Sequence, residues 1–295
     1  MVSVELGGPI DTMPSLMDPA RDRRIGPTAH YTAYVWERLG FPHAELFATA
    51  RGARLFWSFR AAGEWLASAS PRVPSMEQYL GLRHRLIEGA LEAHAPDAIV
   101  ELGAGLSRRG VTWAADRGVA YTEADLPHMV EAKRGMLARR APEALRRRLE
   151  GTLRIEAADV LDPGLGERLR SWLAGARRPA VIAEGVVGYF DPDERRRILR
   201  SVRAGLGEGG RGIFLCDLRT RDAAPAMGPA VGALRLAIRV ATRGRGARED
   251  FADDAEVRAF FEEAGFAAAE KLDAARLPDL AHLSFPAAVW QARTG

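Results

Sequence analysis

The sequence predicts an α/β protein with a doubly wound, mostly parallel seven-stranded sheet, an N-terminal helical cap and a lid insertion. From Pro96 onward, short apolar runs alternate with amphipathic helical patterns, which is typical of parallel strands joined by helices on both faces of a sheet. The preceding segment shows apolar residues mainly at helical spacing. The alternation breaks after Asp217 in a Gly/Arg-rich stretch. We therefore expect a cap at residues 1–95 and a core at 96–295, with the insertion at about 219–250.

The individual elements of the core follow from this alternation. Strands are expected at residues 98–102, 119–124, 152–157, 180–183, 212–216, 266–272 and 287–292. The last two are expected to pair antiparallel and close the sheet. Helices are expected at residues 108–117, 127–140, 165–173, 192–206 and 254–264, and one more inside the insertion at 231–240.

Composition limits the classes of protein to which this chain can belong. The chain has 42 basic and 39 acidic residues, a net charge of +3. Its arginine runs, at 146–148 and 195–197, lie on predicted helices with acidic neighbours, so we predict no nucleic-acid partner. Cys216 is the only cysteine, which excludes an internal disulfide and a cysteine zinc cluster, and we assign no metal ligands. We find no apolar stretch of about 18 residues and no secretion signal at the start, so we predict no membrane partner and a cytoplasmic location.

The central motif is the run Glu-Leu-Gly-Ala-Gly at 101–105, which ends the first predicted strand. Glycines let a ligand approach the backbone closely, and ligands of open α/β sheets bind beyond the carboxyl ends of the strands. A dinucleotide fingerprint would need a small residue where this chain has Arg108. An acid directly before the glycines would also repel a pyrophosphate. Glu101 suits the ammonium group of S-adenosylmethionine better, so Glu101, Gly103 and Gly105 are assigned to that cofactor.

Acidic residues follow the next three predicted strands. Asp125, with Leu126, is placed where a carboxylate accepts hydrogen bonds from ribose hydroxyls, and an N-cap of the following helix is the alternative or additional role. Asp159, with Val160, is placed where a carboxylate can accept from an adenine amino group, although a plain turn is favoured when the motif is taken alone. Glu184 points into the cleft, where a buried carboxylate requires a partner.

Together these motifs resemble the leucine carboxyl methyltransferase family, which includes bacterial polyketide O-methyltransferases of the tetracenomycin carboxyl methyltransferase type. The resemblance covers roughly two thirds of the chain, and an ordered set of motifs is more specific than any one of them. It is strongest at residues 82–88, 100–105, 124–127 with Lys133 and Arg134, and 183–186 with Tyr189. The resemblance implies a class I methyltransferase, Rossmann-like fold with S-adenosylmethionine as its cofactor.

The resemblance also implies roles for individual residues. Arg83 matches the arginine that clamps the methionyl carboxylate, a group that suits a bidentate guanidinium; a surface salt bridge is the alternative. The two glycines and the acids that end the second, third and fourth strands match the family's cofactor loop, ribose acid, adenine acid and methionyl acid. The family often has an aspartate shortly after the glycine loop, where this chain has the run Ser-Arg-Arg-Gly at 107–110.

Methyl transfer from a sulfonium is a direct displacement, for which an enzyme aligns an oxygen with the methyl carbon and excludes water. A carboxylate acceptor, with a pKa of about 4, needs no base, whereas a phenol, with a pKa of about 10, profits from one. We therefore predict an O-methyltransferase acting on a carboxyl or hydroxyl group of a small apolar, polyketide-like metabolite. Tyr189 and His128 are the candidate catalytic residues. The other candidate bases are His30, His84 and His282, although a structural role is more common for such histidines.

Two alternatives stay open at this point. One is a nicotinamide-dependent oxidoreductase, because an acid after the second strand supports any adenosine-type cofactor. The other is a non-catalytic cofactor-binding protein on a methyltransferase fold. The expected partner is a small-molecule acceptor, aromatic or polyketide-like, and a homodimer is left open. Arg219, Arg221 and Arg235 are candidates to attract an anionic acceptor, although loop arginines are more commonly solvated.

Overall fold

One sheet of seven strands organises the computed structural model, which describes residues 19–61, 75–209, 211–221, 251–277 and 288–295. The strands are β1 (Ala98–Leu102), β2 (Ala120–Asp125), β3 (Leu153–Ala157), β4 (Pro179–Ala183), β5 (Ile213–Asp217), β6 (Ala268–Lys271) and β7 (Val289–Arg293). Their order is β3-β2-β1-β4-β5-β7-β6, with β1 to β5 parallel and β7 antiparallel to both β5 and β6. The predicted fold class is confirmed, as is the closing antiparallel pair.

The helices cover both faces of this sheet. They are α1 (Pro19–Arg38), α2 (Ala50–Phe59), α3 (Met76–His94), α4 (Arg109–Val111), α5 (Pro127–Arg140), α6 (Glu143–Leu149), α7 (Leu165–Trp172), α8 (Pro192–Leu206) and α9 (Asp254–Glu263). A π-helical turn, Thr112–Asp116, continues α4. Both α5 and α8 begin at the prolines that the sequence indicated, because proline fits the first helical position.

Two differences from the sequence predictions concern helices. Helix α6 carries the arginine run 146–148, which was expected on a helix, but its bounds were not predicted, because seven residues are too few to show a periodic pattern. The helix expected at 231–240 lies outside the described residues. No helix in the described ranges combines the length and the apolar character needed to cross a bilayer.

Alternate strand residues enter two separate hydrophobic clusters. Ile99 of β1 packs with residues of α1, α2 and α3 on one face, and Val100 packs with residues of α7, α8 and α9 on the other. Cys216 lies fully buried in the second cluster. The first cluster joins cap residues such as Val35 to sheet residues such as Tyr121. The division of the chain at residue 95 therefore stays a prediction, because cap and sheet share one core.

The strand order places the predicted site residues along one edge. Strand β1 has β2 on one side and β4 on the other, so the crevice of a doubly wound sheet lies beyond its carboxyl end. Gly103 follows β1, Asp125 ends β2, Asp159 follows β3, Glu184 follows β4 and Asp217 ends β5. Residues far apart in the sequence thus become neighbours at this edge.

Candidate active site

The loop after β1 has a backbone conformation that requires glycine. Gly103 and Gly105 have φ angles of +61° and +53°, in the left-handed region that side chains disfavour. A Cβ atom at Gly103 would overlap Cγ2 of Val186, and one at Gly105 would lie 3.3 Å from Cβ of Ala29 in α1. The loop therefore presents bare backbone to the crevice, between α1 and the segment after β4.

The side chain of Asp125 connects the end of β2 to this glycine loop. Its Oδ2 accepts from the backbone N–H of Gly105 at 2.5 Å, and its Oδ1 accepts from the N–H of Leu126 at 2.7 Å. Burial raises the pKa of Asp125, and the two N–H groups oppose part of that rise. Leu126, not Asp125, is the N-cap residue of α5, so the predicted capping role is wrong. Each carboxylate oxygen keeps a lone pair for a hydroxyl donor.

Asp159 and Val160 lie in the half-buried turn after β3. Oδ1 of Asp159 accepts from the backbone N–H of Leu161 at 2.9 Å. Oδ1 of Asp162 likewise accepts from the N–H of Gly164 at 2.8 Å. The segment after β3 therefore forms the turn that was favoured when the motif was taken alone. A contact between Asp159 and an adenine amino group stays a prediction.

Glu184 has a buried carboxylate that three nitrogen-bearing side chains contact. Nε of Arg83 donates to Oε1 at 3.0 Å, and Nη2 of Arg109 donates to Oε2 at 2.5 Å. Nδ1 of His84 lies 3.0 Å from the same Oε2. Burial alone would raise the pKa of Glu184, but His84, Arg109 and Arg83 outweigh burial and hold that pKa well below its ordinary value. The carboxylate is therefore ionised at neutral pH.

Arg83 is buried in the middle of this cluster rather than in a surface salt bridge. Besides Glu184, its guanidinium donates from Nη1 to Oδ2 of Asp217 at 3.3 Å. Oδ1 of Asp217 accepts from the backbone N–H of Gly185 at 2.5 Å. A Cβ atom added at Gly185 would lie 3.1 Å from Nη2 of Arg83, so the glycine lets the guanidinium lie close to the backbone. Since a guanidinium has five N–H donors, Arg83 keeps donors for a ligand carboxylate.

Glu101 is occupied by protein partners. Its Oε1 accepts from Nη1 of Arg109 at 2.5 Å, and its Oε2 accepts from the hydroxyl of Tyr121 at 2.7 Å. The residue is 2% exposed, because strand alternation turns it toward α3 while Leu102 faces the other cluster. The predicted contact of Glu101 with an ammonium group stays a prediction, and a ligand would share these oxygens with Arg109 and Tyr121.

Sequence reasoning did not assign Arg109 and Asp217 to the site, and it did not predict that His84 contacts Glu184. Two signals for Arg109 were available. It lies in the run 107–110, which departs from the family pattern, and several acids predicted at the same edge of the sheet need cations as partners. His84 was weighed only as a base. Its ring lies between Trp36 and Phe41, with centroids at 4.6 and 5.4 Å, and burial chiefly lowers its pKa.

The two candidate catalytic residues follow different strands. Tyr189 ends the 3₁₀ turn after β4, its hydroxyl is hydrogen-bonded with Thr28 of α1, and burial raises its pKa. His128 is an exposed residue at the start of α5, beside Asp125 after β2. Strand β1 lies between β2 and β4, so the structure does not bring this pair together.

Two further histidines were named as candidate bases. Nδ1 of His30 lies 3.2 Å from Oγ1 of Thr49, and burial lowers the pKa of His30. His282 lies outside the described residues.

One protein family matches this chain over more than half of its length. The model of the leucine carboxyl methyltransferase family matches residues 41–203, more than half of the chain. A curated protein of Mycolicibacterium paratuberculosis, "Putative S-adenosyl-L-methionine-dependent methyltransferase", is 29% identical over 126 residues. That match covers 42% of this chain and 38% of the relative, so the chain spans well under half of the relative's length.

Solved structures with similar folds include both O- and N-methyltransferases. The S-adenosylmethionine-dependent methyltransferase SibL, in its apo form, is 19% identical over 90% of this chain and 69% of its own, with a TM-score of 0.48. An O-methyltransferase from neocarzinostatin biosynthesis, complexed with S-adenosylmethionine and 2-hydroxy-5-methyl naphthoic acid, is 16% identical over 94% and 73%, with a TM-score of 0.44. The glycopeptide N-methyltransferase MtfA, with S-adenosylmethionine, is 26% identical over 47% and 52%, with a TM-score of 0.33.

Proposed function

We propose, because this chain belongs to the leucine carboxyl methyltransferase family, that it transfers a methyl group from S-adenosylmethionine to a carboxyl or hydroxyl oxygen of a small apolar, polyketide-like acceptor. The family predicted from the sequence motifs is confirmed. The predicted cofactor is confirmed with it. The acceptor, the choice of oxygen and the roles of single residues are our proposals.

The observation that carries the proposal is the link between Asp125 and the glycine loop. The carboxylate that is expected to meet the ribose holds the N–H of Gly105 at 2.5 Å, so the ribose acid and the bare backbone form one preorganised unit. Neighbouring strands lie about 4.8 Å apart, so the edge from β3 to β5 spans roughly 19 Å. A nucleoside with an amino-acid arm can lie along such an edge, with adenine toward Asp159 and Val160 and ribose at Asp125 and Leu126.

The charges at the other end of the edge fit a cationic ligand. Four carboxylates and three guanidiniums form the buried cluster: Glu88, Glu101, Glu184, Asp217, Arg83, Arg108 and Arg109. His84, which also contacts Glu184, is neutral, because burial chiefly lowers its pKa. One negative charge is therefore in excess, and S-adenosylmethionine carries a net charge of +1 from its sulfonium, ammonium and carboxylate groups. We assign the methionyl carboxylate to Arg83 and the ammonium to Glu184, beside Gly103 and Gly105.

When bound, the cofactor supplies an electrophilic methyl carbon that an acceptor oxygen displaces directly. The protein's own task is then to bind, orient and exclude water. Because burial raises the pKa of Tyr189, its hydroxyl stays protonated at neutral pH and can donate a hydrogen bond to the acceptor. His128 lies at the ribose end, away from that hydroxyl. This arrangement favours an acceptor oxygen that is already ionised, such as a carboxylate.

The oxidoreductase alternative has less support than it had from the sequence. Arg108, which stands where a dinucleotide loop needs a small residue, is buried and donates to Glu88 at 2.5 Å. That ion pair occupies the start of α4, where a pyrophosphate would have to approach the backbone. The alternative of a non-catalytic cofactor-binding protein predicts cofactor binding without methyl transfer, which the assay with labelled S-adenosylmethionine measures.

Calorimetry with S-adenosylhomocysteine and with NADH tests the cofactor assignment. We expect binding of S-adenosylhomocysteine only, and Asp125→Asn weakens it, because an amide cannot accept from both backbone N–H groups. Asp97→Asn is the matched control, since Asp97 accepts from the N–H groups of Arg177 and Arg178 at 2.9 Å each, beside the amino end of β1. Preferred binding of NADH would refute the proposal.

Transfer itself is measured with methyl-labelled S-adenosylmethionine against panels of carboxylic acids, phenols and amines. Labelled ester or ether supports the proposal. Transfer only to nitrogen contradicts the O-methyltransferase assignment. Cofactor binding without transfer to any acceptor supports the non-catalytic alternative.

A further inference from the structure

Arg219 lies at the end of the edge that the cofactor assignment leaves open. It follows β5 by two residues, and its guanidinium lies over the ring of Tyr79 in α3, 4.8 Å from the centroid. The guanidinium of Arg83 lies over the same ring at 5.9 Å. One tyrosine of α3 therefore contacts two guanidiniums, and each of them lies beside a different part of the crevice.

Arg219 differs from the other arginines of the site in its partners. Arg83, Arg108 and Arg109 each have a carboxylate oxygen at 3.0 Å or less. No carboxylate of the described residues lies within 4.0 Å of Arg219, because Asp217 is committed to Arg83 and Gly185. Arg219 is half-buried and is hydrogen-bonded with the side chain of Tyr79. A cation that is partly removed from water beside a neutral partner, without a carboxylate, costs free energy.

The direction of the cofactor determines what Arg219 faces. Adenine and ribose belong to β3 and β2, and the methionyl arm to β1 and β4, so the acceptor has to enter toward β4 and β5. Tyr189 after β4 and Arg219 after β5 lie in this part of the crevice. The neighbouring Tyr79 chiefly raises the pKa of Arg219, so the guanidinium stays charged.

We infer that Arg219 is the anchor for a carboxylate of the methyl acceptor, and that the acceptor is a small carboxylic acid. The inference rests on the proposed function, since it uses the cofactor's orientation. Tyr79 contacts both guanidiniums, the one assigned to the cofactor's carboxylate and the one assigned to the acceptor's. A guanidinium binds a carboxylate through two parallel N–H donors, which orients the acceptor as well as attracting it.

The test compares Arg219→Gln and Arg219→Lys with Arg221→Gln. Arg221 is an exposed arginine of the same loop whose backbone N–H, which the substitution keeps, donates to the carbonyl of Phe251 at 2.9 Å. Substrates are aryl and alkyl carboxylic acids that also carry a hydroxyl group, each paired with its primary amide. In calorimetry with the S-adenosylhomocysteine complex, we expect Arg219→Gln to raise the Kd of the acids by about tenfold or more and to leave the Kd of the amides unchanged. Arg219→Lys should restore part of the lost affinity.

Three results would overturn the inference. The first is an equal loss on acids and amides, or a changed affinity for S-adenosylhomocysteine, which would indicate a structural role. The second is the same change in Kd for the acids in Arg221→Gln, which would indicate general charge attraction. The third is that no acid is methylated or bound by the S-adenosylhomocysteine complex in calorimetry. If the unsubstituted chain does not bind S-adenosylhomocysteine, the proposed function is refuted instead. Failure of the inference and failure of the proposed function are therefore distinguishable.

Discussion

Replacing Arg109 by methionine removes a cation that two buried carboxylates share. The Arg109 side chain is fully buried, and it donates to Glu101 and Glu184 at 2.5 Å each. Glu184 keeps Arg83 and His84 as partners, whereas Glu101 keeps only the neutral hydroxyl of Tyr121. The substitution therefore leaves one buried carboxylate without a cation and weakens the other's environment.

The size of the effect follows from the cost of an uncompensated buried charge. Removing one partner of a buried ion pair costs about 3–5 kcal/mol, and 1 kcal/mol shifts the melting temperature of a large domain by about 2–4 °C. We expect the melting temperature of Arg109→Met to fall by about 6–20 °C. Arg117→Met is the matched control, because Arg117 pairs with Glu92 where both side chains are about half exposed. Such a surface pair is worth about 0–1 kcal/mol.

A double variant decides whether the charge of Glu101 is the cause. Glu101→Gln costs stability in the unsubstituted chain, but in Arg109→Met it removes the unpaired charge and is expected to restore part of the lost stability, which is a coupling of opposite sign. If Arg109→Met melts within about 2 °C of the control variant, or if Glu101→Gln destabilises both backgrounds equally, the assignment of Arg109 as the shared counter-cation is wrong.

Two further predictions concern the glycine loop and a buried acid. Gly103→Ala is expected to lose S-adenosylhomocysteine binding and about 2–4 kcal/mol of stability, because of the positive φ and the overlap with Val186. The control Gly118→Ala, at φ +66° with open space around it, should lose about 1 kcal/mol of stability and keep binding. Equal effects of the two variants in calorimetry and thermal melting would contradict this prediction. Burial raises the pKa of Glu123 to about 7 despite Lys133, so this residue's contribution to stability is complete below pH 4.5 and is lost as the pH rises through 7. Denaturant titrations of Glu123→Gln should lack that slope, and Glu143→Gln, at an exposed ion pair, should retain it.

The sequence by itself determined the architecture, because the signals for it are local. Strands and helices differ in the period of their apolar residues, and the order of elements from β1 to β7 follows from that period. The glycines at 103 and 105 and the acids at 125 and 184 were readable for the same reason, since each directly follows an apolar strand. The bounds of helix α6 could not be predicted, because its seven residues are too few to repeat a pattern.

Only the tertiary structure decided which charges meet. Arg109 and Glu184 are 75 positions apart in the sequence, and Arg83 and Asp217 are 134 apart, so no local pattern relates them. Strand order brings the carboxyl ends of β1, β4 and β5 together, and burial then forces each carboxylate to find a cation or an N–H donor. Glu101 pairs with Arg109 for this reason. Because Asp217 pairs with Arg83 and with the N–H of Gly185, Arg219 has no carboxylate within 4.0 Å among the described residues.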